Sequence, residues 1–189
     1  MNRLIISLLF VLSVSCNTNQ KQPLNEVASL DMKEPKYQGL ENDNMYKLFT
    51  TEFYELEFKL DNIEGGIYNL ILDMELKNDS YFVSPNAKTD FSGKFKVIID
   101  DQNKIKQIGK LIETPLSVEE FDPHPFVNGN INWVRENTTY KQQLQRKSNE
   151  AFEISGTLQF TIEPSCTLEK IPFFIKYSDG NMRIEIARC

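Results

Sequence analysis

The chain has 189 residues, a formal net charge of −6 at pH 7 and a sequence pI near 5.0. An acidic chain without a stripe of lysine and arginine lacks the concentrated positive charge that phosphate backbones require, so nucleic acid is excluded as an expected partner. The length suits a single domain with one hydrophobic core.

The N-terminus has the pattern of a bacterial lipoprotein signal peptide over residues 1–15. Arg3 precedes an apolar run at 4–12, and small residues then lead to Cys16. The run is too short for a permanent membrane span and is typical of a secretory signal. Ser13 stands where such signals usually have leucine, so a plain secretory signal is the alternative. We expect cleavage before Cys16 and lipid attachment to its thiol, which would anchor the protein in the membrane.

Residues 16–45 are predicted to form the lipidated cysteine and a flexible tether. The segment is polar, has no sustained hydrophobic period, and is interrupted by Pro23, Pro35 and Gly39. The alternative is a brief helix, or docking on the domain, through a small apolar group: Val27, Leu30 and Met32.

Residues 46–189 are predicted to form one β-domain, because apolar and polar residues alternate in several segments. The residues predicted to face the core are Tyr54, Leu56, Phe58, Leu60, Tyr68, Leu70, Leu72, Met74, Leu76, Phe95, Val97, Ile99, Phe152, Ile154, Leu158, Phe160, Ile162, Ile171, Phe173, Ile175, Tyr177, Met182, Ile184 and Ile186. Turns are predicted at Gly65-Gly66, at 100–103 and at 178–181. Seven to nine short antiparallel strands without a convincing helix predict an all-β, immunoglobulin-like β-sandwich.

The segment from Glu113 to Asn130 interrupts this alternation with three prolines and is predicted to be a long irregular loop. Long loops in compact domains often bind partners, although this one would equally serve as an ordered covering of a sandwich edge. Candidate binding residues in and beside the loop are Phe121, Asp122, His124, Phe126 and Trp133. For Trp133, a core position between the two sheets is favoured over an exposed recognition site.

No pattern in the chain predicts a metal, a cofactor or a catalytic residue. His124, the single histidine, lies between two prolines and belongs to no established ligand spacing. No Gly-x-Ser-x-Gly motif marks a nucleophile. The acidic segment at 100–103 lacks the glycine and terminal glutamate of a calcium loop.

The cysteines predict one disulfide. Lipidation of Cys16 leaves Cys166 and Cys189, and two thiols in an oxidising envelope compartment favour a bridge between them. Free thiols, or an intermolecular bond through Cys189, remain as alternatives.

A series of short motifs runs from residue 79 to residue 177. They are Tyr81-Phe-Val-Ser84, Ile108-Gly-Lys-Leu111, Glu120-Phe-Asp-Pro123, Gly156-Thr-Leu-Gln-Phe160, Cys166 and Ile171-Pro-Phe-Phe174. Their order resembles the N-terminal periplasmic domain of DsbD-type thiol:disulfide interchange proteins. The resemblance implies an immunoglobulin-like sandwich and, in that family, a close pair of redox cysteines.

This chain departs from the family at the cysteine pair. Near Ile162 and Glu163, where the first cysteine of the family is expected, it has none, and only Cys166 remains. Thiol–disulfide exchange needs a second thiol to resolve the mixed disulfide. The resemblance therefore implies the fold, and the redox activity only if Cys189 supplies that thiol.

The leading hypothesis from the sequence is a non-enzymatic binding or accessory module, lipid-anchored in the bacterial envelope. We expect the outer membrane, facing the periplasm, because no clear acidic cluster follows Cys16. The expected partners are the membrane, through the lipid, and another envelope protein. One alternative is a thiol–disulfide redox accessory that uses Cys166 and Cys189. Another is a sugar- or peptide-binding protein with an exposed aromatic platform.

Overall fold

The structure, a computed structural model, describes residues 36–38, 46–88, 91–125 and 127–187. The predicted signal peptide at 1–15, Cys16 and most of the predicted tether lie outside the described residues. Within them the chain forms thirteen β-strands and no helix. A helix long and apolar enough to cross a membrane is accordingly missing from this part of the chain.

The strands are numbered in chain order. They are β1 (Lys36–Gln38), β2 (Tyr46–Thr50), β3 (Tyr54–Glu64), β4 (Ile67–Leu76), β5 (Tyr81–Val83), β6 (Lys96–Ile99), β7 (Ile105–Thr114), β8 (Glu119–Asp122), β9 (Gly129–Val134), β10 (Thr138–Arg146), β11 (Phe152–Glu163), β12 (Thr167–Ser178) and β13 (Asn181–Ile186). One sheet has the order β1-β2-β3-β4-β10-β7. The other has the order β13-β12-β11-β5-β9-β8, with β6 also paired to β11.

The two sheets enclose one apolar core. Tyr54, Leu56, Phe58 and Leu60 of β3 are all fully buried, as the alternation predicts. The predicted inward residues of β4, β11 and β12 are buried as well, except that Leu76 and Phe152 at the strand ends are only partly buried. Rings from the two sheets meet in this core: the centroids of Phe58 and Phe173 lie 5.6 Å apart. The predicted all-β, immunoglobulin-like sandwich is confirmed as a fold class, two packed antiparallel sheets.

The described residues contain more strands than the seven to nine predicted. For two of the additional strands, β10 and β7, there is a physical reason why the sequence pattern did not reveal them. In β10 the inward positions include polar Thr138 and Gln142, both buried, so the hydrophobic alternation is hidden. Gln142 is satisfied there because its Nε2 donates to the carbonyl of Ile108 at 2.9 Å. In β7 the expected pattern is inverted at one end, where Ile112 is 58% exposed and Glu113 is 6% exposed.

The prediction of a long irregular loop over Glu113–Asn130 is wrong. Glu113 belongs to β7, and β8 pairs with β9 as a short hairpin in which Asp122 lies opposite Gly129. The three prolines at 115, 123 and 125 fall outside both strands, so none of them removes a ladder hydrogen bond.

The predicted tether contains one strand. β1 pairs with β2, with Lys36 opposite Thr50 and Gln38 opposite Leu48. Without β1, the strand β2 would be the edge of its sheet and would leave backbone N–H and C=O groups unpaired. The three residues of β1 pair with those groups, and backbone pairing requires no hydrophobic period in β1. A hydrophobicity pattern therefore carries no signal for β1.

A half-buried carboxyl, that of Glu169, lies beside the core residue Tyr54 and predicts a pH effect on stability. The hydroxyl of Tyr54 donates to Oε2 of Glu169 at 2.9 Å. Burial raises the pKa of Glu169 above its ordinary value of 4.5, because this hydrogen bond only partly offsets desolvation. The folded protein then holds the proton more tightly than the unfolded chain, so stability falls as pH rises from about 4.5 through the raised pKa.

We expect Glu169→Gln to raise the Tm at pH 7.5 and to change it much less at pH 4, because glutamine still accepts the Tyr54 hydrogen bond without a charge. Thermal unfolding followed by circular dichroism at the two pH values measures this. A decrease in Tm of the same size at both pH values would contradict the expectation.

Candidate functional site

Exposed large apolar side chains are concentrated at the end of the sandwich where β7 leads into β8. Of the seven that the described residues expose, four fall within ten positions: Ile112, Leu116, Val118 and Phe121. Val118 is 81% exposed and Leu116 is 66% exposed. Single exposed apolar residues are ordinary on protein surfaces, but two of these four, Leu116 and Val118, line one groove together, and adjoining exposed apolar residues mark a candidate interaction surface.

Leu116 and Val118 form one side of a groove, which we call the β7–β9 groove. Its lining comprises Pro115, Leu116, Ser117, Val118, Glu120, Trp133, Val134, Arg135, Glu136 and Thr138. Apolar residues of the β7–β8 connection thus face the strand β9 and the residues that follow it. The groove combines apolar contact area with charged groups at its rim, as protein-binding surfaces do.

Trp133 lies on the outer face of its sheet, so its predicted position in the core between the sheets is wrong. The next residue, Val134, is the inward one, because neighbouring side chains in a strand point to opposite faces. Trp133 is half-buried against a small second cluster of Val83, Ala87 and Ile131. Its ring meets Tyr81 edge to face, with centroids 5.0 Å apart.

A stacked arginine covers this aromatic pair. The guanidinium carbon of Arg135 lies 4.3 Å from the ring centroid of Tyr81 and 5.9 Å from that of Trp133. Arg135 also pairs with Glu120, Nη2 to Oε1, at 3.1 Å. The rings are therefore occupied by the chain's own cation and do not offer an open platform for a sugar.

The β8–β9 hairpin brings together three of the predicted binding residues. Asp122 accepts a hydrogen bond from the backbone N–H of His124 at 2.8 Å and another from Nε1 of Trp133 at 3.0 Å. The His124 amide, first, and the indole N–H lower the pKa of the Asp122 carboxyl, since both stabilise its charged form. These contacts hold Trp133 against the hairpin.

The other two predicted binding residues are not part of that cluster. Phe121 is 64% exposed and is adjacent to Asp122 in β8, so its side chain lies on the opposite face of the ladder from Trp133. Phe126 lies outside the described residues. Among these described residues, no group of three or more histidine, cysteine or acidic side chains is arranged to hold a metal ion.

The site also contains a buried carboxylate that the sequence did not single out. Oε2 of Glu113 accepts hydrogen bonds from the Ser84 hydroxyl at 2.7 Å and the Tyr140 hydroxyl at 3.1 Å. Oε1 accepts one from the backbone N–H of Ser117 at 2.8 Å. Burial, reinforced by the charge of Glu113, raises the pKa of Tyr140 well above its ordinary value, so Tyr140 remains a donor. Glu113 could have been found from the sequence through Leu111, which lies two positions earlier in β7. Residues two positions apart in a strand point to the same face of the sheet, so an inward Leu111 predicts an inward Glu113.

Cys166 lies exposed between β11 and β12 and forms no disulfide within the described part of the chain. Cys189 lies outside that part, so the bridge stays a prediction. The length of chain beyond β13 limits whether Cys189 can reach Cys166. Within the described residues, the last backbone hydrogen bond of β12 with the chain after β13 runs from the Ala187 N–H to the Pro172 carbonyl. Pro172 is six positions, or about 20 Å of strand, from Cys166.

Two residues beyond Ala187 extend the chain by about 7 Å at most. The Cα atoms of a disulfide lie within about 7 Å of each other. A bridge between Cys166 and Cys189 therefore requires the end of β13 or the β11–β12 turn to move from its place in this structure.

Comparison with known proteins assigns no family. No protein-family model matches the chain, and no curated protein matches it. Among solved structures, the chain is similar to the GAE domain of GGA2p from Saccharomyces cerevisiae, with 8% sequence identity and a TM-score of 0.36. The match covers 82% of this chain and 97% of that chain.

Proposed function

We propose that the chain is a lipid-anchored protein of the bacterial envelope whose sandwich binds another envelope protein without catalysing a reaction. The β7–β9 groove is the contact surface in this proposal. The observation that carries it is the exposure of Leu116 and Val118 side by side along the groove. Exposed apolar area of this kind is stabilised when a partner removes it from water.

The charges around the groove indicate the chemistry of the partner. Glu120 and Glu136 outnumber Arg135 among the charged groups that line it, and the chain as a whole is acidic. Electrostatic complementarity then favours a partner surface that presents apolar side chains flanked by lysine or arginine. The same excess of carboxylates disfavours a second copy of this chain as the occupant.

The lipid anchor rests on the N-terminal sequence. The short apolar run at 4–12, the single positive charge before it and Cys16 after it form the pattern of a lipoprotein signal. Anchoring through acyl chains confines the domain near the membrane, which raises the local concentration of any partner in the same compartment.

The alternative, a redox accessory related to DsbD-type proteins, depends on Cys166 and Cys189. An exposed Cys166 is accessible to a partner thiol, as exchange requires. The distance from Cys166 to the end of β13 opposes a resolving role for Cys189 without rearrangement. For this reason we propose binding, and not thiol–disulfide exchange, as the function.

Site-specific photocross-linking in the native cells tests the proposal. A photoreactive amino acid is placed at position 118 in the full chain, and at position 106, an exposed site at the far end of β7, as a control. We expect one discrete cross-linked product from position 118 and none from position 106. Leu116→Asp should lower the yield about tenfold or more, as for a residue central to an interface.

Two further arms make the experiment specific. Leu168→Asp alters another exposed leucine, on β12, and should leave the yield unchanged. Cys16→Ser should move the protein out of the membrane fraction and lower the yield. Equal labelling from positions 118 and 106, or a product that is insensitive to Leu116→Asp, would refute the proposed surface.

A further inference from the structure

In the connection from β7 to β8, side-chain exposure alternates from residue to residue around Ser117. Leu116 and Val118 on either side are exposed, whereas Ser117 is half-buried with its hydroxyl oxygen enclosed. Its backbone is held at both ends: the N–H donates to Oε1 of Glu113 at 2.8 Å, and the carbonyl accepts from Nδ2 of Asn132 at 3.1 Å. Holding Ser117 inward directs its two neighbours outward.

The two side chains that hold Ser117 are themselves buried. Glu113 is 6% exposed and Asn132 is 9% exposed. A buried carboxylate is unfavourable unless several donors satisfy it, and Glu113 has three: the hydroxyls of Ser84 and Tyr140 and the amide of Ser117. Ser84 follows β5 of one sheet, and Tyr140 belongs to β10 of the other, so the carboxylate is fixed from both sides of the sandwich.

We infer that Glu113 and Asn132 are positioning residues that present Leu116 and Val118 to the partner in the β7–β9 groove; this inference rests on the proposed function. Two buried polar side chains fix the backbone of a segment whose two apolar side chains, Leu116 and Val118, stay exposed. Because binding loses less entropy when the contact residues are already ordered, such an arrangement favours the bound state.

Hydrogen–deuterium exchange of the full chain in detergent, read by mass spectrometry on peptides covering 115–122, tests the positioning. Glu113→Gln replaces one acceptor oxygen by an N–H₂ donor, so the network must rearrange. We expect exchange in this segment to accelerate about tenfold or more, in line with the loss of a hydrogen bond to a charged group. Peptides from β3, β4, β11 and β12 should keep their slow exchange.

Ser117→Ala is the matched control. It removes a buried hydroxyl that has no hydrogen-bond partner within the described structure, and it keeps both backbone hydrogen bonds. Exchange in the segment should stay slow and the Tm should not fall. Unchanged exchange in Glu113→Gln, or equal acceleration in Ser117→Ala, would overturn the inference.

Asn132→Ala provides a second variant in case Glu113→Gln does not fold. It deletes only the contact to the Ser117 carbonyl, and it too should accelerate exchange in the segment. Both positioning variants should also lower the cross-linking yield from a photoreactive residue at position 118, although neither substitution changes Leu116 or position 118. A wild-type chain that gives no cross-link refutes the proposed function, while the exchange data still decide whether Glu113 and Asn132 hold the segment.

Discussion

Replacing Phe160 by alanine is expected to lower the free energy of unfolding by about 3–5 kcal/mol, the range for deleting a buried aromatic side chain. Phe160 is fully buried on β11. Its ring centroid lies 5.2 Å from that of Tyr54 in the opposite sheet, and 5.3 and 5.6 Å from those of Phe82 and Phe95. The substitution therefore leaves a cavity where the two sheets meet.

Urea denaturation followed by circular dichroism measures this loss. Phe121→Ala is the matched control, since it makes the same chemical change at a ring that is 64% exposed, and it should alter stability by about 0.5 kcal/mol or less. Similar losses for the two variants would show that Phe160 does not occupy the core position described above.

Gly156→Ala is expected to destabilise the protein by about 1–3 kcal/mol, through overpacking and not through a cavity. A Cβ atom at this position would lie 2.6 Å from Cε2 of Phe173 and 2.8 Å from the carbonyl oxygen of Ile98. The Phe173 ring is buried and packs on Phe58, and Ile98 is held in the β6–β11 ladder. Neither neighbour can move without breaking another contact.

Gly129→Ala is the control for this second prediction. A Cβ atom there meets only the carbonyl oxygen of Val127, at an ordinary 3.5 Å, and the backbone needs no positive φ. Its stability should be unchanged or slightly increased, because alanine restricts the unfolded chain. Chemical denaturation of both variants gives the comparison, and a Gly156→Ala protein as stable as Gly129→Ala would contradict the close packing of β11 on β6 and β12.

The strands that could be predicted are those in which one face is entirely apolar. Along β3, for example, Tyr54, Leu56 and Phe58 are buried in alternate positions, so the period of two is visible in the sequence. The strand β10 could not be found in this way, because Gln142 is buried and its Nε2 donates to the carbonyl of Ile108 on the neighbouring strand β7. Hydrophobicity carries no information about such a partner.

The β7–β9 groove overlaps the region that the sequence indicated, and it includes Trp133, but Phe121 and Asp122 do not line it. The sequence indicated the region from Glu113 to Asn130 and, within it, Phe121 and Asp122. It did not indicate Leu116 and Val118, because two apolar residues two positions apart are expected to face the core when they lie in a strand. Only the backbone hydrogen bonds of Ser117 decide their direction, and those depend on Glu113 and Asn132, 4 and 15 positions away in the chain.

The position of β1 has a mechanical consequence. The chain before Lys36 joins the sandwich through β1, an edge strand whose first residue pairs with Thr50, the last residue of β2. A pull from the N-terminal side therefore acts at the open end of this hairpin, where it separates the backbone pairs one after another instead of shearing them together. We therefore expect β1 to peel away from β2 at low force, before the backbone pairs between the core strands separate.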